Sequence, residues 1–315
     1  MAAPGGAPVT ARLAFLLGLS LLVPQRAFRS GVDVVRVDVS VMHGRTPVAG
    51  LKAENFALTD NGVPQEVESA TLDNLPISVS LVLDISGSVA GEELSHLIDA
   101  GQQLVRTLHP DDRASLITFS QQVLVDVPLT SDMSAVAKTL AGLEGHGATS
   151  MNDAIHVAMN LRPLDTSRSV IIVFSDGADN LSWSRPEGLI DEVKKTGVVI
   201  HAIELQIDPA AALQPKSPAL LSQGYIDRGR GRIPVLQALT LEAGGRVWSA
   251  KSSSDLKALF TQALEEMRAR YLLTYSAKGV PQDGWHTLKV SLKNARGDVT
   301  ARPGYFVAAK GQSPR

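Results

Sequence analysis

The chain is predicted to be α/β: a doubly wound, mostly parallel sheet inserted between N- and C-terminal β segments that form a small β-sandwich. Three observations predict this. Between residues 75 and 270, apolar runs such as 77–83 (ISVSLVL) and 170–174 (VIIVF) alternate with segments of helical spacing, and uninterrupted apolar strands belong to sheets covered on both faces. Outside that stretch the pattern has a period of two, which marks strands with one buried face. At 315 residues, 44% hydrophobic and 20% charged, the chain has the composition of an ordinary globular protein, long enough for one large core or two smaller ones.

In chain order, 35–41 (VRVDVSV) alternates valines with Arg36, Asp38 and Ser40 and reads as a strand. A short strand at 56–59 runs into Asp60-Asn61-Gly62, a tight-turn signal, and 65–72 is the returning arm. After the strand at 77–83, residues 92–108 carry apolar positions at helical spacing. Strands follow at 114–119 and 123–127, and a helix at 133–143 with Ser131 or Asp132 as its cap. The remaining elements are a helix at 151–161, a strand at 170–174, a helix at 186–195 opened by Pro186, and a strand at 198–203. Then come a helix at 236–243, a short strand at 246–248 and a helix at 255–268. Residues 206–232 break any regular element with repeated Pro and Gly and carry Arg228, Arg230 and Arg232, a surface excursion or a partner-binding loop. Strands at 271–275, 287–292 and 305–308 close the chain, with turns at Asp283-Gly284 and 296–298. The units are thus 1–30 leader, 31–74 β segment, 75–270 α/β domain, 271–308 β segment packing on the first, and 309–315 tail. Neither β set is large enough to close a core alone.

The leader has Arg12 before an apolar run at 13–23 and no acid ahead of Asp33, which is the pattern of a secretory signal. A small-x-small cleavage site is poorly formed around Ala27, so membrane anchoring through the apolar segment stands beside cleavage. Either way the expectation is extracytoplasmic: secreted, periplasmic or membrane-anchored. Zero Cys removes disulfides, thiolate metal sites and cysteine nucleophiles. A formal charge of −2 with no basic run gives no electrostatic reason to expect nucleic acid.

Asp84 follows directly on the apolar strand 77–83, and Asp176 stands two residues beyond the strand 170–174. Carboxyl ends of parallel strands are where such sheets bind ligands. If the two strands are neighbours, the carboxylates approach, and a pair about 4 Å apart costs on the order of 4 kcal/mol at an effective dielectric of 20. A cation is expected between them. Ser86 and Ser88 alternate with Ile85 and Gly87, so their hydroxyls can point with Asp84, and a third loop, 145–150 (GHGATS), offers Thr149. Carboxylates and hydroxyls with water are the donors of a hard divalent ion, magnesium first, with manganese or calcium as alternatives. The set contains no imidazole, which argues against zinc.

Asp84-Ile85-Ser86-Gly87-Ser88, Thr149 in a Gly-rich loop and Asp176 in Ser-Asp-Gly resemble the metal-ion-dependent adhesion site of von Willebrand factor type A domains, over about residues 75–270. The flanks, with Arg302-Pro303-Gly304-Tyr305, resemble a bacterial secreted group of such proteins. The resemblance implies that Ser86 and Ser88 bind the metal directly, Thr149 directly or through water, and that Asp84 and Asp176 act as ligands or position them. The loops around Gly87, His146, Gly147 and Asp179 would form the rim. It implies an extracytoplasmic adhesion module, in which a partner protein's Asp or Glu completes the coordination.

Two other classes compete. A scaffold would keep the metal site closed and use the β-sandwich for contacts. A hydrolase is disfavoured: a nucleophile elbow needs G-x-S-x-G, whereas Asp84 and Ser88 flank Ser86, an aspartyl-phosphate enzyme would want an acid where Ser86 stands, and no G-x-G-x-x-G follows the strand. The expectation is that the chain is not an enzyme.

Overall fold

A computed structural model describes residues 34–72, 75–163, 168–176, 179–205 and 232–308. The leader at 1–30, the loop at 206–231 and the tail at 309–315 lie outside the described residues. Among those described, no helix is long and apolar enough to cross a membrane.

The strands are β1 (Val34–His43), β2 (Thr46–Pro47), β3 (Phe56–Asp60), β4 (Val63–Gln65), β5 (Ser69–Thr71), β6 (Ile77–Asp84), β7 (Arg113–Phe119), β8 (Val123–Thr130), β9 (Arg168–Ser175), β10 (Val199–Leu205), β11 (Val247–Ala250), β12 (Tyr271–Ser276), β13 (Gly284–Leu292), β14 (Asp298–Ala301) and β15 (Gly304–Val307). The helices are α1 (Glu92–Arg106), α2 (Met133–Ala141), α3 (Met151–Asn160), α4 (Pro186–Val193), α5 (Arg232–Glu242) and α6 (Leu256–Arg268).

Six strands form one sheet in the order β11-β10-β9-β6-β7-β8. All neighbours are parallel except β7 and β8, which a hairpin joins. This is the mixed, doubly wound α/β sheet expected. Every residue of β6 is buried, because both of its faces carry a core. Val79, Leu81 and Leu83 meet α1 and α6 through Leu97, Leu104, Phe260 and Leu264, while Val82 turns to the other face with Ile155, Met159 and Leu239. Helix ends follow local chemistry: Asp132 Oδ1 accepts the Ala135 N–H at 3.1 Å and so caps α2.

Two antiparallel sheets, β14-β1-β12-β5 with β2 on β1 and β15-β13-β3-β4, share a core of Val37, Val39, Val41, Phe56, Leu58, Tyr271, Leu273, Tyr275 and Leu288. Each sheet takes strands from both ends of the described chain. The turn Asn61-Gly62 has φ of 48° and 79°, the left-handed pair that a two-residue hairpin requires.

Four sequence expectations need correcting. The arm 65–72 is not one strand: β4 pairs β3, whereas β5 pairs β12 in the other sheet. The helix expected at 236–243 spans Arg232–Glu242. The turn at 296–298 leads into β14, whose four residues are too few to show a period. The polar face of β1 meets solvent at Arg36 but turns away from it further along the strand. Asp38 pairs with Arg168 at 2.9 Å and Ser40 is 1% exposed, so this face covers the foot of the α/β sheet where β9 begins.

Candidate metal centre

β6 and β9 are adjacent and parallel, with Leu83 opposite Phe174. Asp84, the last residue of β6, and Asp176, one residue past β9, therefore emerge side by side at the carboxyl edge of the sheet. Both are buried, at 0% and 4% exposure. Asp84 is fixed by two bonds: Oδ1 accepts the Ser86 N–H at 2.9 Å, and Oδ2 accepts the Ser175 hydroxyl at 2.8 Å. With both oxygens engaged, Asp84 orients the Ser86 loop more than it presents a free lone pair. Ser175 was missed by the sequence reading, since a serine closing an apolar strand carries no signal of its own.

The loop after β6 turns back so that the Ser86 and Ser88 hydroxyls lie 3.1 Å apart. It is tied to the Thr149 loop by Gly87 N–H to Gly147 O at 3.0 Å and His146 N–H to Ile85 O at 2.7 Å. Gly147 has φ +80°, a left-handed position that favours glycine there. His146 is exposed and its Nδ1 lies 3.2 Å from the Glu144 carbonyl; it stands on the rim.

Thr149 is 3% exposed, and its backbone is fully used. Its N–H donates to Asn180 Oδ1 at 2.9 Å, and its carbonyl accepts from the N–H groups of Asn180 and Leu181. Asp179 Oδ2 accepts the Asn152 N–H at 2.7 Å in the first turn of α3, and also the Ser182 hydroxyl. Asp179 and Asn180 thus clamp the Thr149 loop to the segment after Asp176, and the structure brings all five predicted site residues to one edge of the sheet.

The electrostatics of this edge favour a cation. The Asp84 carboxyl is pushed up to about 7, first by burial and then by the charge of Asp176; the Ser86 and Ser175 bonds pull the other way. Asp176 Oδ1 is buried and, among the described residues, has no hydrogen-bond partner, an arrangement that costs free energy unless another group reaches it. Among the described residues, no three His, Cys, Asp or Glu side chains gather into a metal-holding group, so a cation here would rely on hydroxyl oxygens. Two carboxylates, two neighbouring hydroxyls and a threonine fit a hard divalent ion.

Residues 79–178 match the family model of the von Willebrand factor type A domain. Human calcium-activated chloride channel regulator 1 is 32% identical over 148 residues, 44% of this chain and 16% of that protein. Bovine inter-alpha-trypsin inhibitor heavy chain H3 is 29% identical over 133 residues, 38% of this chain and 15% of that one. The chain thus spans about one sixth of the length of the curated relatives it matches. Among solved structures, proximal thread matrix protein 1 from the mussel byssus, with a zinc-occupied MIDAS motif, is 16% identical and covers 64% of this chain and 48% of its own, with a TM-score of 0.50. The family match and the relatives support a von Willebrand factor type A domain in this chain, and its six-stranded mixed sheet has that domain's α/β fold.

Proposed function

We propose that the chain is an extracytoplasmic binding module, one that holds a divalent cation at the edge formed by Asp84, Ser86, Ser88, Thr149 and Asp176 and captures a partner protein through a carboxylate. The observation that carries this reading is the buried, unpartnered Asp176 Oδ1 beside the fixed Asp84. The cation supplies positive charge and a coordination position for an anionic oxygen. The chain's residues do the rest. Ser86 and Ser88 offer hydroxyls to the ion, Asp84 and Ser175 hold that loop in place, and Asp179 and Asn180 hold the loop that carries Thr149. Because the surrounding oxygens are fixed by backbone bonds, little ordering is left for the moment of binding.

Magnesium suits this all-oxygen set. The zinc-occupied motif in the mussel protein makes zinc a competitor to be measured, and manganese and calcium belong in the same comparison. An apolar contact stands beside the site: Trp183 is 95% exposed. Its loop is pinned by Asp153, whose oxygens accept the Trp183 N–H at 3.0 Å and the Ser184 N–H at 2.8 Å. An indole held out on a fixed loop is suited to fill a partner's apolar pocket while the partner's Asp or Glu reaches the cation.

Calorimetric titration of the EDTA-stripped protein with each divalent ion tests the reading, with pull-down from envelope extract in magnesium or EDTA as a second arm. One bound ion per chain, lost in Ser86→Ala with unchanged circular dichroism, is expected. Capture that survives excess EDTA would count against it.

A further inference from the structure

At the opposite end of the α/β sheet, where β9 and β10 begin, a cleft of about 210 Å³ opens between that sheet and the polar face of β1. It is lined by Arg36, Asp38, Arg270 and Arg302, with Gly197, Val199 and Ala243 as walls. The length of β10 puts it about 20 Å from the Asp84 edge.

The charges of this cleft do not balance. Asp38 is already paired with Arg168, and Glu266 with Arg270 through Nη2 at 2.9 Å. Among the described residues, the lining sets Arg36, Arg270 and Arg302 beside Asp38, with Glu266 behind Arg270. Arg270 is fully buried, yet among the described residues its Nε and Nη1 have no hydrogen-bond partner. Among the described residues Arg302 is held by two carbonyls, donating from Nε to Gly304 O and from Nη2 to Lys194 O at 3.0 Å. Burial pulls the Arg302 guanidinium below its ordinary value, and Asp38 offsets only part of this. Buried guanidinium N–H groups left without an acceptor are costly, and forks held rigid with N–H groups unused match the oxygens of an anion.

We propose that this cleft is a binding site for a phosphate-type oxyanion, gripped by Arg270 at the floor and by Arg302 and Arg36 toward the mouth. A space of about 210 Å³ is enough to admit a phosphate group. Asp38 belongs to the same lining and suits a protonated phosphate oxygen, to which its carboxylate can accept. Free phosphate and a lipid phosphate headgroup share this chemistry.

The test uses the full chain in EDTA, at ionic strength fixed with sodium chloride. Inorganic phosphate is titrated by calorimetry, and in parallel the protein is floated with phosphatidylcholine vesicles with and without phosphatidic acid. Saturable one-to-one binding of inorganic phosphate is expected, weakened about tenfold in Arg36→Gln and unchanged in Ser86→Ala. Arg36 is exposed, so that variant leaves the core intact. Flotation that needs both phosphatidic acid and Arg36 would assign the headgroup as the source; phosphate binding without flotation would assign the free ion. Neither binding nor flotation, or binding indifferent to both Arg36→Gln and Arg302→Gln, overturns the proposal.

Discussion

Substituting Glu266 by Gln keeps the size of the side chain and removes a charge from the centre of the molecule. Glu266 in α6 is 1% exposed; Oε1 lies 2.9 Å from Arg270 Nη2 and Oε2 2.9 Å from His201 Nε2, and both partners are 0% exposed. The Arg246 N–H donates to His201 Nδ1 at 3.1 Å, so Nδ1 is an acceptor and the ring's proton sits on Nε2, facing Glu266. Burial opposes ionisation of Glu266, but Arg270 and then His201 outweigh it and hold the carboxyl well below its ordinary range. For His201 burial comes first and pushes its pKa down; Glu266 resists, while Arg270 and Arg246 add to the push. The Gln variant leaves Arg270 buried without a counter-charge, which costs about 3–5 kcal/mol and lowers Tm by about 10 °C in a chain of this size. The pH dependence has a definite sign. Both pKa values are depressed in the fold, so both groups stabilise above their unfolded values and lose that contribution as pH falls, because the unfolded chain then binds more protons. For His201 the loss begins as pH drops through its ordinary 6.5, and for Glu266 as it drops through 4.5. Wild type should therefore show a steeper acid limb below 4.5 than the variant, by about 1.4 kcal/mol per pH unit. Thermal unfolding followed by circular dichroism between pH 3 and 8 measures both effects. A Tm within about 2 °C of wild type, with parallel acid limbs, would refute the electrostatic account. The same network ties α6 to β10, since sliding α6 by one turn, about 5.4 Å, would part Glu266 from His201. Magnesium is expected to leave the hydrogen exchange of α6 unchanged.

Three further outcomes follow from single side chains. Trp183→Ala should leave stability within about 0.5 kcal/mol, because the indole is 95% exposed, yet weaken magnesium-dependent partner capture by about thirtyfold in a surface plasmon resonance comparison. Gly245→Ala should cost about 3 kcal/mol or more by chemical denaturation, since the added Cβ would lie 1.9 Å from the Ile200 carbonyl oxygen. Tyr305→Phe should cost about 1–3 kcal/mol in the same assay, because it removes the phenol that donates to buried Asp60 at 2.9 Å; a loss below about 0.5 kcal/mol would show that Tyr275 and His286 satisfy that carboxylate alone.

Tyr305 also shows what joins the two β sets that the sequence reading expected to form one sandwich. Asp60 closes β3, His286 lies in β13 and Tyr275 in β12, and with Tyr305 of β15 three side chains meet around the Asp60 carboxylate in the sandwich. Each residue alone looks like an ordinary surface polar group in its strand. Burial and Asp60 push the Tyr275 phenol up, and the Tyr305 phenol reaches about 12, so both stay protonated donors. Periodicity could reveal the strands, because half-buried and fully buried strands differ in pattern over seven or eight residues. It could not reveal that β5 leaves β4 for the other sheet, since a three-residue strand has too few positions to specify a partner.

The centre divides along a similar line. Asp84, Ser86, Ser88, Thr149 and Asp176 were legible because a strand end followed by oxygen-bearing side chains is a local pattern, and because the parallel sheet makes two such ends neighbours. The residues that hold them were not legible. Ser175 binds Asp84 from the adjacent strand, Asn180 binds the Thr149 backbone from 31 positions away, and Asp153 pins Trp183 from 30. Such bonds join loops that only the finished sheet brings together, so no spacing in the chain announces them. They also decide what the edge can do. A hydroxyl on a free loop must be ordered whenever an ion binds, at a cost of about 1–2 kcal/mol per residue, whereas here folding has already met that cost. The cross-loop carboxylates and amides thus make a modest set of neutral oxygens into a credible cation site. Replacing Asn180 with Ala should accordingly weaken magnesium binding while leaving every proposed ligand in place, and an unchanged affinity would mean that the Thr149 loop orders itself.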